Sequence, residues 1–331
     1  MSAAGAADAG IHRLAIPTPF MVGRVNTYLI EDDPLTLVDT GPNSGKALDE
    51  LEQALATHGR RVEELELIII SHQHIDHLGL VEILARRSGA EVAALDVLAP
   101  YVEHFGEETE LDDEFAEEIM RTHGISDEVT HALRSVSRAY RGWGGSATVT
   151  RPLAHGSRLE LRDRSLQVLH RPGHSPSDTV FWDDERKLLI AADHLIAHIS
   201  SNPLLTRPLG GPVTGAPRPQ ALVTYMESLR ATREMDAELV LTGHGEPVTD
   251  HVGLIDERFR LHARRARKIL GLIRERPRSA HEIAQSLWGD VAVTQAYLTL
   301  SEVLGHVDLL LNDGDAVEER GEDAVVRFAA A

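Results

Sequence analysis

Ser71-His72-Gln73-His74-Ile75-Asp76-His77-Leu78-Gly79 follows directly on the apolar run Leu65-Glu66-Leu67-Ile68-Ile69-Ile70. That run is short, β-branched and almost wholly apolar, which predicts a buried strand. Four potential metal ligands, His72, His74, Asp76 and His77, then fall within six positions, on the loop beyond the strand's carboxyl end. Open α/β sheets place their active sites at that edge. His72 and His74 are two apart, so on an extended loop both side chains face the same side. Asp76 and His77 follow where the chain turns toward a helix near 80–87. Imidazole nitrogen together with carboxylate oxygen suits zinc and other first-row divalent ions. The competing reading is a polar loop that happens to be rich in histidine. Eighteen histidines make scattered coincidences common, but a packed His-x-His-x-Asp-His is far rarer.

Working outward, the same arrangement recurs: an apolar strand, a break, then a ligand type. Upstream, strands are expected at 12–16, 25–30 and 35–39, and a helix at 45–58. Asp39 closes the third strand and reads equally well as a carboxylate orienting a ligand histidine or as a turn residue. Downstream, the strand 166–170 leads through Arg171-Pro172-Gly173 to His174. The hairpin 178–192 ends at Asp193, and the strand 238–241 delivers Gly243-His244. Alone, each of these later residues is a weak signal, because a lone histidine is more often structural than metal-bound. Their shared place at strand ends raises them. The count permits two sites: His72, His74 and His174 in one, Asp76, His77 and His244 in the other, with Asp193 able to bridge.

His72-x-His74-x-Asp76-His77, Gly173-His174, Asp193 and Gly243-His244 together resemble the metallo-β-lactamase superfamily, nearest to its glyoxalase II-like hydrolases, over about 11–252. The resemblance implies an αββα sandwich, a binuclear metal centre at one edge of the two sheets, and that division of ligands; spacing alone does not establish the division. Zinc is the default metal, and iron and manganese accept the same donors. A hydroxide bridging the pair would attack a carbonyl or phosphoryl centre, with Asp76 or Asp193 orienting it. Lactam cleavage is disfavoured. The lactamases with a cysteine ligand are excluded by the absence of cysteine, and the Ala/Gly-rich stretch 1–10 reads as a floppy tail, not a signal peptide.

Two further regions stand apart. Residues 100–145 are acidic, helical in pattern and free of strand signals, an insert expected to act as a lid over the active site, the alternative being a packing embellishment. Met120, Tyr140 and Trp143 are candidates to line an apolar pocket, though such residues are more often core. In the loop 202–219, Arg207 and Arg218 are weighed as holders of an anionic substrate against ordinary surface residues. From 253 onward a smaller unit is expected, with helices at about 254–276, 279–287 and 294–311 and a hairpin across Gly321. This resembles the winged-helix domain appended to some hydrolases of the superfamily, one branch of which cleaves RNA. Its third helix lacks Lys and Arg, whereas the first carries Arg258, Arg260, Arg264, Arg265, Arg267 and Lys268. That basic face is read as solvated or paired with the acidic body.

The fold class expected is therefore α/β: a metallo-β-lactamase sandwich over 1–252 with a helical insert, then a winged-helix-like domain over 253–331. Composition agrees with a globular enzyme: 42% hydrophobic, 26% charged, no apolar run of membrane-spanning length. A net charge of −19 opposes a general affinity for nucleic acid or anionic membranes. The expectation is a cytoplasmic dinuclear metallohydrolase cleaving an ester-like bond, a thioester or lactone, in a small-molecule substrate, with the tail in packing or homodimer contact. The alternatives are a phosphodiesterase acting on RNA and a metal-bound sensor or scaffold with little turnover.

Overall fold

The computed structural model describes residues 3–201, 203–211 and 217–331. Six strands form a first sheet in sequence order: β1 (Ile11–Ile16), β2 (Val25–Ile30), β3 (Thr36–Val38), β4 (Leu67–Ile70), β5 (Glu91–Leu95) and β6 (Arg151–Leu153). β1 to β3 pair antiparallel, and β3 to β6 pair parallel. Parallel neighbours require crossovers, here supplied by helices Gly45–Thr57 and Val81–Ser88 and by the insert. A second sheet holds β7 (Arg158–Glu160), β8 (Ser165–His170), β9 (Thr179–Asp183), β10 (Leu188–Ala192) and β11 (Leu239–Thr242), in the order β11-β10-β9-β8-β7.

The two sheets face each other. Leu166, Val168, Phe181, Leu188, Ile190, Leu239 and Leu241 share one buried core with Ile68 and Ile70 of the first sheet. Their sequence neighbours Leu169, Val180, Trp182, Leu189, Ala191 and Val240 pack on the opposite face, with Tyr225 and Leu229 of helix Ala221–Arg233 and Ile255 of helix His251–Glu275. Alternate residues serve opposite faces. Because helices cover the outer face too, these strands are apolar throughout instead of alternating. Ala47, Leu51, Leu55, Val81 and Leu84 bring helices to the first sheet in the same way. The result is the αββα sandwich expected from the sequence.

The insert joins β5 to β6 as helices Ala99–Glu103, Phe105–Thr122 and Asp127–Tyr140 and a turn, Arg141–Trp143. Its two long helices are zipped by charge: Glu110 accepts from Arg134, from Arg138 at 2.6 Å and from Arg141 at 2.5 Å, and Glu117 from Arg134 at 2.9 Å. Its apolar face does not close over the metal-type motif. Phe115, Ile119, Met120 and Ile125 form a second core with Ile269, Ile283, Leu300, Leu304 and Phe328 of the tail. The long helices are therefore packing elements and not a lid, and Met120 is core, because a neighbouring domain buries the face that a lid would present; Trp143, at the end of the insert, stays beside the motif.

The tail consists of helices Ala280–Trp288, Val291–Thr294 and Ala296–Asn312 and a three-stranded sheet of β12 (Arg278–Ser279), β13 (Ala316–Arg320) and β14 (Val326–Ala330) in the order β12-β14-β13. Helix His251–Glu275 leads into it, with Ile255 under the second sheet and Ile269 and Ile273 in the tail core. The capping box expected at 279–282 forms: the Glu282 amide donates to Ser279 Oγ at 3.1 Å, and the Ser279 amide donates to Glu282 at 2.8 Å. Helix Ala296–Asn312 is mostly buried, the central helix of the tail. At the other terminus, residues expected to be a floppy tail include a short helix, Ala3–Asp8; Met1 and Ser2 lie outside the described residues.

The loop after β10 also departs from expectation. Asn202 and residues 212–216 lie outside the described residues, but Arg207 and Arg218 do not reach a substrate site. Arg207 is 2% exposed and paired with Glu108 and, at 3.3 Å, with Asp112 of the insert. Arg218 grips Asp308 of the central tail helix through two hydrogen bonds, one of 2.8 Å. Both arginines, Arg207 buried and Arg218 half-buried, are structural cations fastening the loop to the two helical units. Among the described residues, no helix is long and apolar enough to cross a membrane.

Removing one partner of a buried ion pair leaves an uncompensated charge, at a cost of about 3–5 kcal/mol. Arg207→Ala is expected to lower the free energy of urea unfolding by about that much, and Arg264→Ala, on an exposed face, by no more than about 0.5 kcal/mol.

Candidate metal centre

β8, β10 and β11 run in one direction, because β9 is antiparallel to β8 and to β10, and β10 is parallel to β11. Their carboxyl ends therefore lie at one edge of the second sheet. From that edge His174, Asp193 and His244 emerge; from the end of β4 come His72, His74, Asp76 and His77. The two edges are joined by the Thr179 amide, which donates to the Ser71 carbonyl at 3.1 Å. All seven predicted residues converge.

They fall into two groups of mutually close donor atoms. Those of His72, His74, His174 and Asp193 lie within 4.8 Å of one another, and so do those of Asp76, His77 and His244. In the first, His74 Nδ1 is 3.0 Å from both His72 Nε2 and His174 Nε2. In the second, His244 Nε2 is 3.4 Å from Asp76 Oδ2. Asp193 touches both: Oδ2 is 3.5 Å from His174 Nε2 and 3.5 Å from His244 Nε2, and Oδ1 is 3.4 Å from His77 Nε2. Gly243 makes this approach possible. A Cβ there would run into Asp193 Oδ1 and the His77 ring.

These residues fit a divalent cation. His77 Nε2 and Asp193 Oδ1 are buried and form no hydrogen bond among the described residues, an arrangement that costs about 1–3 kcal/mol for each atom left without a partner. Three ring nitrogens converging at 3.0 Å likewise need a cation or proton among them. The tautomers suit this. His77 Nδ1 donates to Asp39 Oδ2 at 2.8 Å, His244 Nδ1 to the Arg24 carbonyl at 2.8 Å, and His72 Nδ1 to Ser71 Oγ at 2.9 Å. Each bond turns Nε2 inward, where a neutral ring presents its lone pair to a cation.

Electrostatics divides the histidines. Burial keeps His72 neutral, well below the ordinary histidine range, and pushes His74 down to about 3; neighbouring imidazoles add to both effects. Burial also opposes charge on His77 and His244, but carboxylates outweigh it. Asp193 and Asp39 hold His77 well above its usual value, and Asp193 and Asp76 lift His244 to about 9. Burial works against the Asp193 carboxylate, yet His77 and His244 hold it well below the usual range. Negative charge is thus concentrated where two groups of nitrogen donors meet, the chemistry of a cation site.

Asp39, evenly weighed in the sequence, is an orienting carboxylate. Beyond its bond to His77, it accepts from the Ser71 amide at 2.9 Å and the Ser71 hydroxyl at 2.8 Å, and so fixes His72 through Ser71. Its backbone is left-handed, with φ of 60°, a conformation that aspartate tolerates better than most residues. Sequence reading missed the role of Ser71, although it adjoins the motif, and of the Arg24 carbonyl, for which a backbone atom leaves no signal.

Of the other expected residues, Tyr140 and Trp143 stack at 5.1 Å, and Phe20, on the β1–β2 loop, meets both rings edge-on at 5.9 and 5.7 Å. Met21 beside it is 95% exposed. The cluster adjoins the motif, since the Trp143 carbonyl accepts from the Asn43 amide at 2.7 Å and a Cβ on Gly79 would strike it. In the basic helix, Arg258 is buried and Arg265 pairs with Glu302, so the six cations do not act as one face.

Comparison with known proteins agrees with this geometry. Residues 21–244 match the model of the metallo-beta-lactamase superfamily, and residues 266–331 that of the metallo-beta-lactamase-like C-terminal domain. The probable metallo-hydrolase YqjP of Bacillus subtilis is 31% identical over 297 residues, covering 90% of this chain and 91% of its own. A beta-lactamase domain protein from Burkholderia ambifaria superposes with a TM-score of 0.81 at 26% identity, over 97% of this chain and 92% of its own. A metallo-beta-lactamase family protein from Thermus thermophilus gives 0.77 at 24% identity, over 97% and 99%, a likeness of fold. With sheet order, convergent donors and sequence in agreement, the chain belongs to the metallo-β-lactamase superfamily and is one of its metallo-hydrolases.

Proposed function

We propose that the protein is a dinuclear hydrolase of ester-like bonds, a thioester or lactone, close to the glyoxalase II-like branch. His72, His74 and His174 hold one ion, Asp76, His77 and His244 the other, and Asp193 bridges; zinc is the metal proposed. The observation that carries this reading is the position of the Asp193 carboxylate, within 3.5 Å of imidazoles from both groups. Bound ions would supply a nucleophilic hydroxide near neutral pH and polarise the acyl oxygen. The chain's own residues do the rest. Asp76 and Asp193 orient the nucleophile, and Asp39, Ser71 and the Arg24 carbonyl keep the imidazoles in the required tautomer. The cluster of Phe20, Met21, Tyr140 and Trp143, with Met21 and Tyr140 exposed and the other two half-buried, supplies an apolar wall for the acyl group, as exposed apolar patches commonly mark binding surfaces. In this reading the hydrolase domain spans 1–252. The unit from 253 to 331 is a winged-helix-like domain that packs on the insert.

A second reading, phosphodiester cleavage in RNA, is favoured by one feature. Arg264, Arg267, Lys268 and Arg274 are exposed and make no hydrogen bond or ion pair among the described residues. Arg264 and Lys268 line a groove with Leu287 and Trp288. Such cations suit a phosphate backbone. The overall charge of −19 and the burial of the central tail helix weigh against it.

Four outcomes are expected. Metal analysis of the purified protein should give two ions per chain in the proposed reading, and Asp39→Asn should weaken metal affinity about 10–100-fold with both ions still able to bind at saturation. Trp143→Ala should raise KM for acyl-thioesters about tenfold with kcat little changed, as loss of uniform binding requires; equal parameters would remove the apolar wall from the proposal. In a filter-binding titration, single-stranded RNA should show no salt-dependent retention; a slope of about −0.7 per phosphate contacted would favour the second reading.

A further inference from the structure

The proposed chemistry leaves one requirement unmet: an alkoxide leaving group needs a proton, and the seven converging residues are taken up by the proposed ions. We propose that His198 donates that proton. The inference rests on the ester-hydrolase reading above and assigns a further residue to the same site.

His198 lies five residues beyond Asp193 and packs against Gly245, the residue that follows His244. Its ring edge occupies the space where a side chain would begin, since a Cβ on Gly245 would fall 2.6 Å from His198 Nδ1 and 2.8 Å from its Cε1. Gly245 has φ of +72°, so both its backbone and this packing demand glycine. The segment carrying His198 is thus anchored at the metal centre at both ends, through Asp193 in sequence and through the His244 loop in space.

The turn is also held from beneath. Arg258, buried in helix His251–Glu275, donates from Nη2 to three of its carbonyls, those of Ile196 at 3.1 Å, Ala197 at 2.9 Å and Ile199 at 2.9 Å. A buried guanidinium committed to three carbonyls around one residue fixes where that residue's side chain stands. Here that support serves an imidazole that is itself exposed and makes no hydrogen bond or ion pair among the described residues.

Several other proton-bearing groups near the centre are engaged elsewhere. His194 turns into the core and meets Thr232 Oγ1 at 2.8 Å. The Tyr225 hydroxyl donates to the His194 carbonyl at 2.8 Å, and that of Tyr28 to the Thr242 carbonyl at 2.6 Å. Asp178 accepts from the Ser175 amide and hydroxyl. Arg258 lies below the turn, and beside Gly245 Arg13 donates to the Gly245 carbonyl at 2.8 Å and pairs with Glu246 at 3.0 Å. Histidine is the side chain whose ordinary pKa lets it carry and release a proton near neutrality.

The step balances. Hydroxide, formed from water with loss of a proton to solvent, makes the new carbon–oxygen bond to the acyl carbon. The bond to the leaving oxygen breaks, its electron pair stays with that oxygen, and the oxygen takes the ring proton of His198. The imidazole regains a proton from solvent, to which it is open. One water is consumed, and an alcohol, a carboxylate and one proton result. A thiol of pKa about 8.5 can depart as its anion, whereas an alkoxide, nearer water at about 15.7, needs the proton.

The test is His198→Gln in the full-length, zinc-loaded protein, assayed on an alkyl ester or lactone and on an aryl thioester with the same acyl group. The expected result is a loss of about a hundredfold in kcat for the oxygen ester and little change for the thioester, with metal content and melting temperature as in the unmodified protein. Equal losses on both substrates, or none on either, would overturn the proposal and leave the hydrolase reading intact. If the unmodified protein cleaves neither substrate, the ester reading itself fails, and the role of His198 fails with it.

Discussion

A single buried carboxylate, Asp193, stands within 3.5 Å of imidazoles from three separate segments of the chain. An isolated carboxylate in such a place would be expensive to ionise, and burial does push its pKa upward. The imidazoles of His77 and His244 reverse that, and the negative charge persists. Everything else at this edge follows from keeping that charge and its surrounding nitrogens in place. Two sheets must face each other so that strand ends from both meet. Gly243 must lack a side chain so that the carboxylate can come in. The loops that bear the histidines must be braced from outside.

The bracing is supplied by residues with no direct part in the centre. Asp39 reaches His77 directly and His72 through Ser71, so one carboxylate sets two ring orientations. The start of β2 reaches across to the His244 loop: Asn26 donates to the Thr242 and Gly245 carbonyls, both at 2.9 Å, and the Arg24 carbonyl takes the His244 proton. Fixed partners of this kind reduce the reorganisation required when a cation binds, and they explain why the surroundings of a metal site matter nearly as much as the donors.

The helical insert and the tail form a second body of packing that reaches the centre indirectly. They share one apolar core, and the loop that begins at Asp193 is tied to both, through Arg207 to the insert and through Arg218 to the tail. The segment is thus held by ion pairs as well as by its buried apolar residues Leu195, Ile196 and Leu205. Such pairs add less to stability than apolar contacts of the same volume, but they are specific about partner and position. This suits a loop whose first residue contributes a carboxylate to the site.

The sandwich and the convergence of its seven donors were legible because both follow from short-range pattern. Uniformly apolar strands such as Leu67–Ile70 announce burial on two faces, and a ligand-type residue just past each strand end announces the edge. Local pattern could not distinguish among the other charged residues. Arg207, Arg258 and Arg264 look alike in sequence, yet one pins a loop, one braces a turn and one faces solvent. The same holds for His194 and His198, four residues apart, one sealed in the core and the other exposed. A charged side chain's role depends on what stands opposite it, often a backbone carbonyl dozens of residues away. The sequence determined which segments would be buried and where donors would be offered; only tertiary packing decided which polar groups would meet, because long-range partners leave no periodicity in the chain.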